Sequence, residues 1–165
     1  MASQPHAISP DCFADEPPIA RDVARGVTRL FFRQDIHALC EVPLPNGRRA
    51  DMMAICGQGL LTIVEIKVSR ADLMGDHKWP EYLDYCDRFF WAVPAGFGLA
   101  DFDGAALGPE VSGLLVADRY DAAVIRDAPL RKLAPARRKA ETLRFARRAA
   151  RRMAGVLDPG LDGLD

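Results

Sequence analysis

Several things are scarce in this chain, and each scarcity removes a class of protein. The four cysteines among its 165 residues (Cys12, Cys40, Cys56 and Cys86) lie far apart, with no CxxC pair. That spacing argues against a zinc site and predicts free, mostly buried thiols in a reducing cytoplasm. No apolar run reaches the ~18 residues of a membrane span, so no membrane association is expected. The N-terminus has no basic segment followed by an apolar one, and a targeting signal is not expected either. Net charge is nearly absent, −1 at pH 7, so the whole molecule is not a polycation. No internal repeat is visible.

What is present is a chain of single-domain size with about half its residues apolar, 49%, enough for a real core. Its charge is unevenly spread. Between Arg131 and Arg152 stand ten basic residues and one acid, Glu141, while the tail after Met153 carries only acids.

Residues 1–18 are polar and proline-rich and read as a flexible tail, residues 19–156 as one domain, and 157–165 as a flexible acidic tail. Ile19, Val23, Val27, Leu30 and Phe31 recur at helical spacing and predict a helix laid on a sheet. Three strand-like runs follow at 37–44, 48–56 and 60–68, joined by the short loops PNG and GQG, which predict two successive hairpins. The third run is apolar on both faces, as in a central strand covered on both sides. Short helices are expected in SRADLMGD and PEYLDYC, then strands in RFFWAVP, 113–118 and 121–128, and a last helix over 135–156. The fold class is α/β, a mixed sandwich.

Three charged residues, Asp51, Glu65 and Lys67, sit inside the most apolar stretch. Alternation puts Glu65 and Lys67 on one face with Leu61 and Ile63. A three-residue loop at Gly57–Gly59 pairs Ile55 with Leu61, Met53 with Ile63, and Asp51 with Glu65, with Cβ atoms roughly 5 Å apart. The same count across Pro45–Gly47 sets Glu41 opposite Asp51, whereas a two-residue turn at Asn46-Gly47 would send Glu41 to the other face. Opposed carboxylates cannot both ionise cheaply, and a divalent cation removes the conflict. Carboxylate oxygens suit Mg2+ or Mn2+, which also hold phosphates. With Lys67 beside them this is equipment for phosphodiester hydrolysis. A plainer account makes the same residues an ion-pair cluster, in which Arg48, Arg49 and Lys67 neutralise Asp51 and Glu65.

At these positions the chain resembles the PD-(D/E)xK nuclease superfamily, whose restriction-endonuclease-like core runs helix-strand-strand-strand-helix-strand. The wider stretch EVPLPNGRRADMMAI…IVEIKVSRADLMGDHKWPEYLDYCDRFFWAVP, with GLLVAD beyond it, is similar to the MmcB-like DNA repair family over roughly residues 19–150. That resemblance implies metal-dependent cleavage of DNA in repair, with Asp51 and Glu65 binding the metal and Lys67 assisting catalysis. Ala50 stands where the superfamily signature has proline. The first helix lacks the glutamate that resolvases use; Asp22 is one substitute, and Glu41 is the stronger candidate for a further catalytic acid.

For DNA-backbone contacts the candidates are Arg49, Arg70 and Lys78 near the acids, with Arg144, Arg148, Arg151 and Arg152 on the last helix. That helix is expected to bury a stripe of Ala136, Ala140, Leu143, Ala150 and Met153 and to offer its arginines to phosphate. Such binding would show little sequence specificity. Ser69 and Asp72 read as a helix N-cap pair, and Trp79, Tyr82, Tyr85, Phe89, Phe90 and Trp91 as core aromatics. The reading is a metal-dependent DNA endonuclease. Its alternative is a non-catalytic nucleic-acid-binding or scaffold domain with the same fold, and a homodimer or a repair-protein partner is left open.

Overall fold

Proline fixes its own φ and needs no N–H partner in a first helical turn, and Pro18 opens α1 (Pro18–Arg33) in this way. The computed structural model describes residues 18–161. The first seventeen residues of the expected N-terminal tail and the last four of the acidic tail lie outside them. The remainder of that acidic tail is structured: Leu157 ends the last helix, and a short 3-10 turn covers Pro159–Leu161.

Val23 and Val27 of α1 are fully buried, so its apolar stripe does face the sheet. Gly26 permits close approach there, since a Cβ at this position would lie 2.0 Å from the Asp118 carbonyl oxygen. The strands are β1 (Ile36–Pro43), β2 (Arg49–Cys56), β3 (Leu61–Ile66), β4 (Arg88–Pro94), β5 (Ser112–Ala117) and β6 (Ala122–Arg126). They form one six-stranded sheet in sequence order. β3 and β4 run parallel, as do β4 and β5, and the other neighbours are antiparallel. A parallel neighbour needs a crossover. Between β3 and β4 it is built from α2 (Arg70–Gly75) and a 3-10 helix at Trp79–Tyr85. Ser69 caps α2 by accepting a hydrogen bond from the Asp72 N–H at 3.1 Å, as the spacing predicted.

Each face of the sheet buries its own cluster. One is built with α1 and includes Met52, Val64 and Ala92. The other holds Met53, Ile63, Trp79, Phe89, Trp91 and Phe102 under the 3-10 helix and the last helix, α3 (Pro135–Leu157). β3 is buried at all six positions, the two-sided burial its composition foretold.

α3 turns a different face inward from the one its alanines suggested. Leu143 and Met153 are 58% and 59% exposed, while Glu141 and Phe145 are buried. The inward polar groups are paired: Arg138 with Asp87, Arg144 with Glu141, and Arg152 with the Glu41 carbonyl. Apolar periodicity failed because ion pairs, not small alanines, set the buried face.

Among the cysteines, Cys56 and Cys86 are free thiols. Cys40 is disulfide-bonded, which corrects the expectation of a free thiol there. Spacing along the chain carries no information about distance in the fold.

Candidate functional site

Both hairpins adopt the three-residue loop. Leu44 N–H donates to Arg48 O at 2.8 Å and Cys56 N–H to Leu60 O at 3.2 Å. Gly47 and Gly59, at φ 81° and 76°, take the left-handed turn position that glycine favours. Met53 pairs with Ile63 and Ile55 with Leu61, as counted from the loop. The β2–β3 ladder stops at Met52–Val64.

Beyond that pair the two strands exchange side-chain bonds instead of backbone ones. The Ile66 N–H donates to Asp51 Oδ2 at 2.7 Å, and the Asp51 N–H donates to Glu65 Oε1 at 3.1 Å. The two carboxylates therefore meet, and they do so by replacing the ladder where β2 leaves β3. Strand β1 shows the matching disturbance. Cys40 and Met52 point into one cluster, yet Val42 and Ala50 point into the other. Regular alternation would keep positions two apart on one face. The break falls at Glu41, a non-glycine residue at φ 53°, and at Asp51, the pair that the β1–β2 ladder skips between Cys40–Met52 and Val42–Ala50.

That break decides the role of Glu41. The register is the predicted one, but the Glu41 carboxylate turns to Arg49 at 2.6 Å and its carbonyl accepts from Arg152 at 3.0 Å. The expected row of three acids is reduced to two, Asp51 and Glu65. Asp22 is elsewhere, paired with Arg119 at 3.0 Å.

Glu65 is 4% exposed. Burial first, and then the charge of Asp51, push its pKa well above the ordinary carboxylate range, outweighing the Asp51 N–H and Lys67. Lys67, 7% exposed, extends from the end of β3 on the same face, with Nζ 5.9 Å from the Trp91 ring centre. Its partner is Asp76, at 2.8 Å, with Asp72 at 3.8 Å. Burial lowers the Lys67 pKa, but the Asp76 hydrogen bond and the surrounding acids outweigh it and the net shift is upward. Lys67 is held as a cation.

Asp76, charged and close after the acids in sequence, had been given no role. Its Oδ1 accepts from the Lys78 and Trp79 N–H groups at 3.0 and 3.1 Å, capping the 3-10 helix, while Oδ2 holds Lys67. Two signals pointed to it: an aspartate three residues before the helical WPEY, and a buried lysine in need of a counter-ion. Tyr82 also reaches the site, donating to the Arg49 carbonyl at 3.1 Å. These groups line an open cleft of about 530 Å³. Neither Arg48 nor Lys67 makes the simple ion-pair cluster with the two acids, because Arg48 forms a two-pronged bond to Glu81 at 2.8 and 3.0 Å.

The expected DNA contacts are spread over three places. Arg49 and Lys78 line the cleft. Arg70 is 70% exposed but grips Asp101 at 2.7 and 3.0 Å. Arg144, Arg148 and Arg151 line a separate groove between α3 and β1. Arg152 is half-buried, and burial, then Arg148, lower its pKa. Trp79 is a core residue, its indole N–H donating to Ala106 O at 3.0 Å.

The class so defined is a mixed α/β protein with a six-stranded sheet and a paired-acid, lysine-bearing cleft at one sheet end. The family model described as DNA repair protein MmcB-like matches residues 9–160, and the chain belongs to that family. Among solved structures it is similar to the SPO1766 protein of unknown function from Silicibacter pomeroyi. The identity is 44% and the TM-score 0.76, over 88% of this chain and 95% of that one. No curated protein matches. Among the described residues no helix is long and apolar enough to cross a membrane.

Proposed function

We propose that this chain is a DNA endonuclease of repair, of restriction-endonuclease-like (PD-(D/E)xK) type and dependent on Mg2+ or Mn2+. One observation carries the reading: Asp51 and Glu65 converge where β2 parts from β3, with the Lys67 cation on the same face. The family's description as a DNA repair protein supports DNA as the partner.

The donor set fits a hard divalent ion. Each carboxylate gives one oxygen to a backbone N–H, and a carboxylate can accept about four such contacts. Magnesium is commonly held by one or two carboxylates, with water and substrate phosphate completing the shell. Asp51 and Glu65 would hold it, and when bound it supplies a polarised phosphate oxygen and an acidified water. Lys67, being charged, is suited to donate hydrogen bonds to a phosphate oxygen or orient the attacking water, not to remove its proton. Asp76 is a positioning residue that fixes where that charge points.

Among the described residues no group of three or more His, Cys, Asp or Glu side chains could hold a metal, so any ion here would rest on the two carboxylates; the alternative is a non-catalytic nucleic-acid-binding or scaffold domain. Cleavage of labelled DNA with manganese separates the two. Lys67→Met keeps the stem's volume and is expected to lower the cleavage rate about a hundredfold or more while DNA binding changes little. Asp51→Asn is expected to weaken manganese binding strongly. Wild-type protein that binds DNA but never cuts it with either metal would refute the enzyme.

A further inference from the structure

Three concavities line up at one end of the sheet. β1 and β2 meet there through Pro43 and Arg49, β3 ends at Ile66, and β4 ends at Pro94. Beside β1 lies the groove under α3, about 420 Å³, with Arg144, Arg147, Arg148 and Arg151 on one wall and Val42, Pro43 and Leu44 on the other. The acid cleft comes next, at β2 and β3. Beyond β4 is a third hollow of about 510 Å³, mainly apolar, formed by Val68, Phe97, Gly98 and Ala100 and rimmed by the Arg70–Asp101 pair. Val68 lines both the cleft and this hollow, so the two are contiguous.

We infer that the substrate is an unpaired DNA strand lying along this end of the sheet, with phosphates on the α3 arginines and one base in the Phe97 hollow. The inference rests on the nuclease reading only in that the middle cleft takes the phosphate to be cut. A duplex presents phosphates outward and hides its bases. The outer two concavities ask for more than that. The arginine groove has an apolar opposite wall, and the hollow beyond β4 has an aromatic side chain, Phe97, in its lining and a charged rim that can bond a base edge. Cations for the backbone combined with apolar and aromatic surface for bases is the pattern that holds single strands. α3 is also tied to the site, since Arg152 grips the carbonyl of Glu41, whose carboxylate holds Arg49 at the cleft wall.

The test is fluorescence anisotropy in EDTA with a labelled mixed-sequence single strand and the blunt duplex of the same sequence. The single strand is expected to bind roughly tenfold more tightly. Changing Arg147 and Arg148 together to Gln should flatten its salt dependence by about 1.4, or 0.7 per lost single-strand contact. Phe97→Ala should weaken single-strand binding by about tenfold. Because that change also touches Phe102, whose ring is 6.1 Å away, Gly98→Leu serves as the second variant. Gly98 lines the hollow, a Cβ there meets nothing within 4 Å and its φ is outside the left-handed range, so this leucine is expected to obstruct the hollow while the melting temperature stays put. Duplex bound as tightly as the single strand, or unchanged affinity in Gly98→Leu, overturns the inference. Cleavage is read separately with manganese. Cutting without single-strand preference sinks this inference and leaves the nuclease, whereas the predicted binding without cutting does the reverse.

Discussion

Two buried acids sit at opposite ends of β3, and their surroundings differ in kind. Asp87 stands beside the strand's first residue. Its carboxylate, wholly buried, accepts from the Leu61 N–H at 2.9 Å and the Leu133 N–H at 2.8 Å and is ion-paired to Arg138. Burial alone would raise its pKa, but the Arg138 hydrogen bond, the two N–H groups and the guanidinium charge outweigh it, and the net shift is downward. Glu65 stands beside the strand's last residue with one N–H donor and another acid next to it, and its pKa moves up. The fold satisfies the first charge completely and leaves the second in conflict. On the proposed reading, that unrelieved conflict is what a bound cation would remove.

The largest expected effect comes from breaking the satisfied end. Asp87→Ala leaves the Leu61 and Leu133 N–H groups without their acceptor and partly exposed Arg138 without its partner, an expected cost of about 3 kcal/mol; urea unfolding measures it. The pH dependence follows from the depressed pKa. The Asp87 contribution is fully present above the unfolded value of about 3.9 and disappears as pH falls through the lower folded value. Wild type should therefore lose this increment only in acid, and the variant should show a shallower acid limb. An acid limb unchanged by the mutation would mean that Asp87 is not the group being titrated.

At the conflicted end the sign reverses. Above the unfolded value of about 4.3, the unfolded Glu65 carboxyl loses its proton while the folded one keeps it, so stability falls as pH rises toward the folded pKa. Glu65→Gln removes this loss and can still accept from the Asp51 N–H. The metal-free variant should melt a few degrees above wild type at pH 8, and the gap should close near pH 4. Manganese should raise the wild-type melting temperature, since it binds only the folded site, and leave the variant nearly unmoved. A variant that melts lower than wild type at pH 8 without metal would show that Glu65 is structural, like Asp87.

How far each end was legible follows from the same contrast. The Asp51–Glu65 meeting could be counted from the loop because alternation and hairpin register are local rules, and two glycine turns pinned them. Glu41 had the right register and the wrong destination. A left-handed residue in mid-strand re-aims its side chain, and no local pattern in HALCEVPL announces one. The Asp87 centre went unread because its partners lie 26, 46 and 51 residues away. The inward face of α3 was missed for the same reason: partly exposed Arg138 turns inward to Asp87, which is far away in the chain. Asp76 was within reach, since it follows Lys67 by nine residues and precedes a helix start, but its two roles share one carboxylate.

Glu141 offers the smallest effect and the sharpest division between the two ends. It is buried like both acids, 2% exposed, and has arginines beside it like Asp87. Arg144 bonds it and Arg137 lies 3.9 Å away. Its pKa is nevertheless raised, because burial outweighs both arginines and the Arg144 hydrogen bond. Those arginines are about half exposed, 53% and 44%, so water and salt screen them. What Asp87 has and Glu141 lacks, among the described bonds, is a pair of backbone N–H donors fixed by the fold. If those donors are what make a buried acid structural, Glu141→Gln should change stability by less than about 1 kcal/mol. Its pH profile should resemble a weak version of Glu65→Gln, with a small gain at pH 8 that vanishes toward pH 4. A loss approaching that of Asp87→Ala would show that one screened arginine suffices, and that backbone donors are not what separates the two ends of β3.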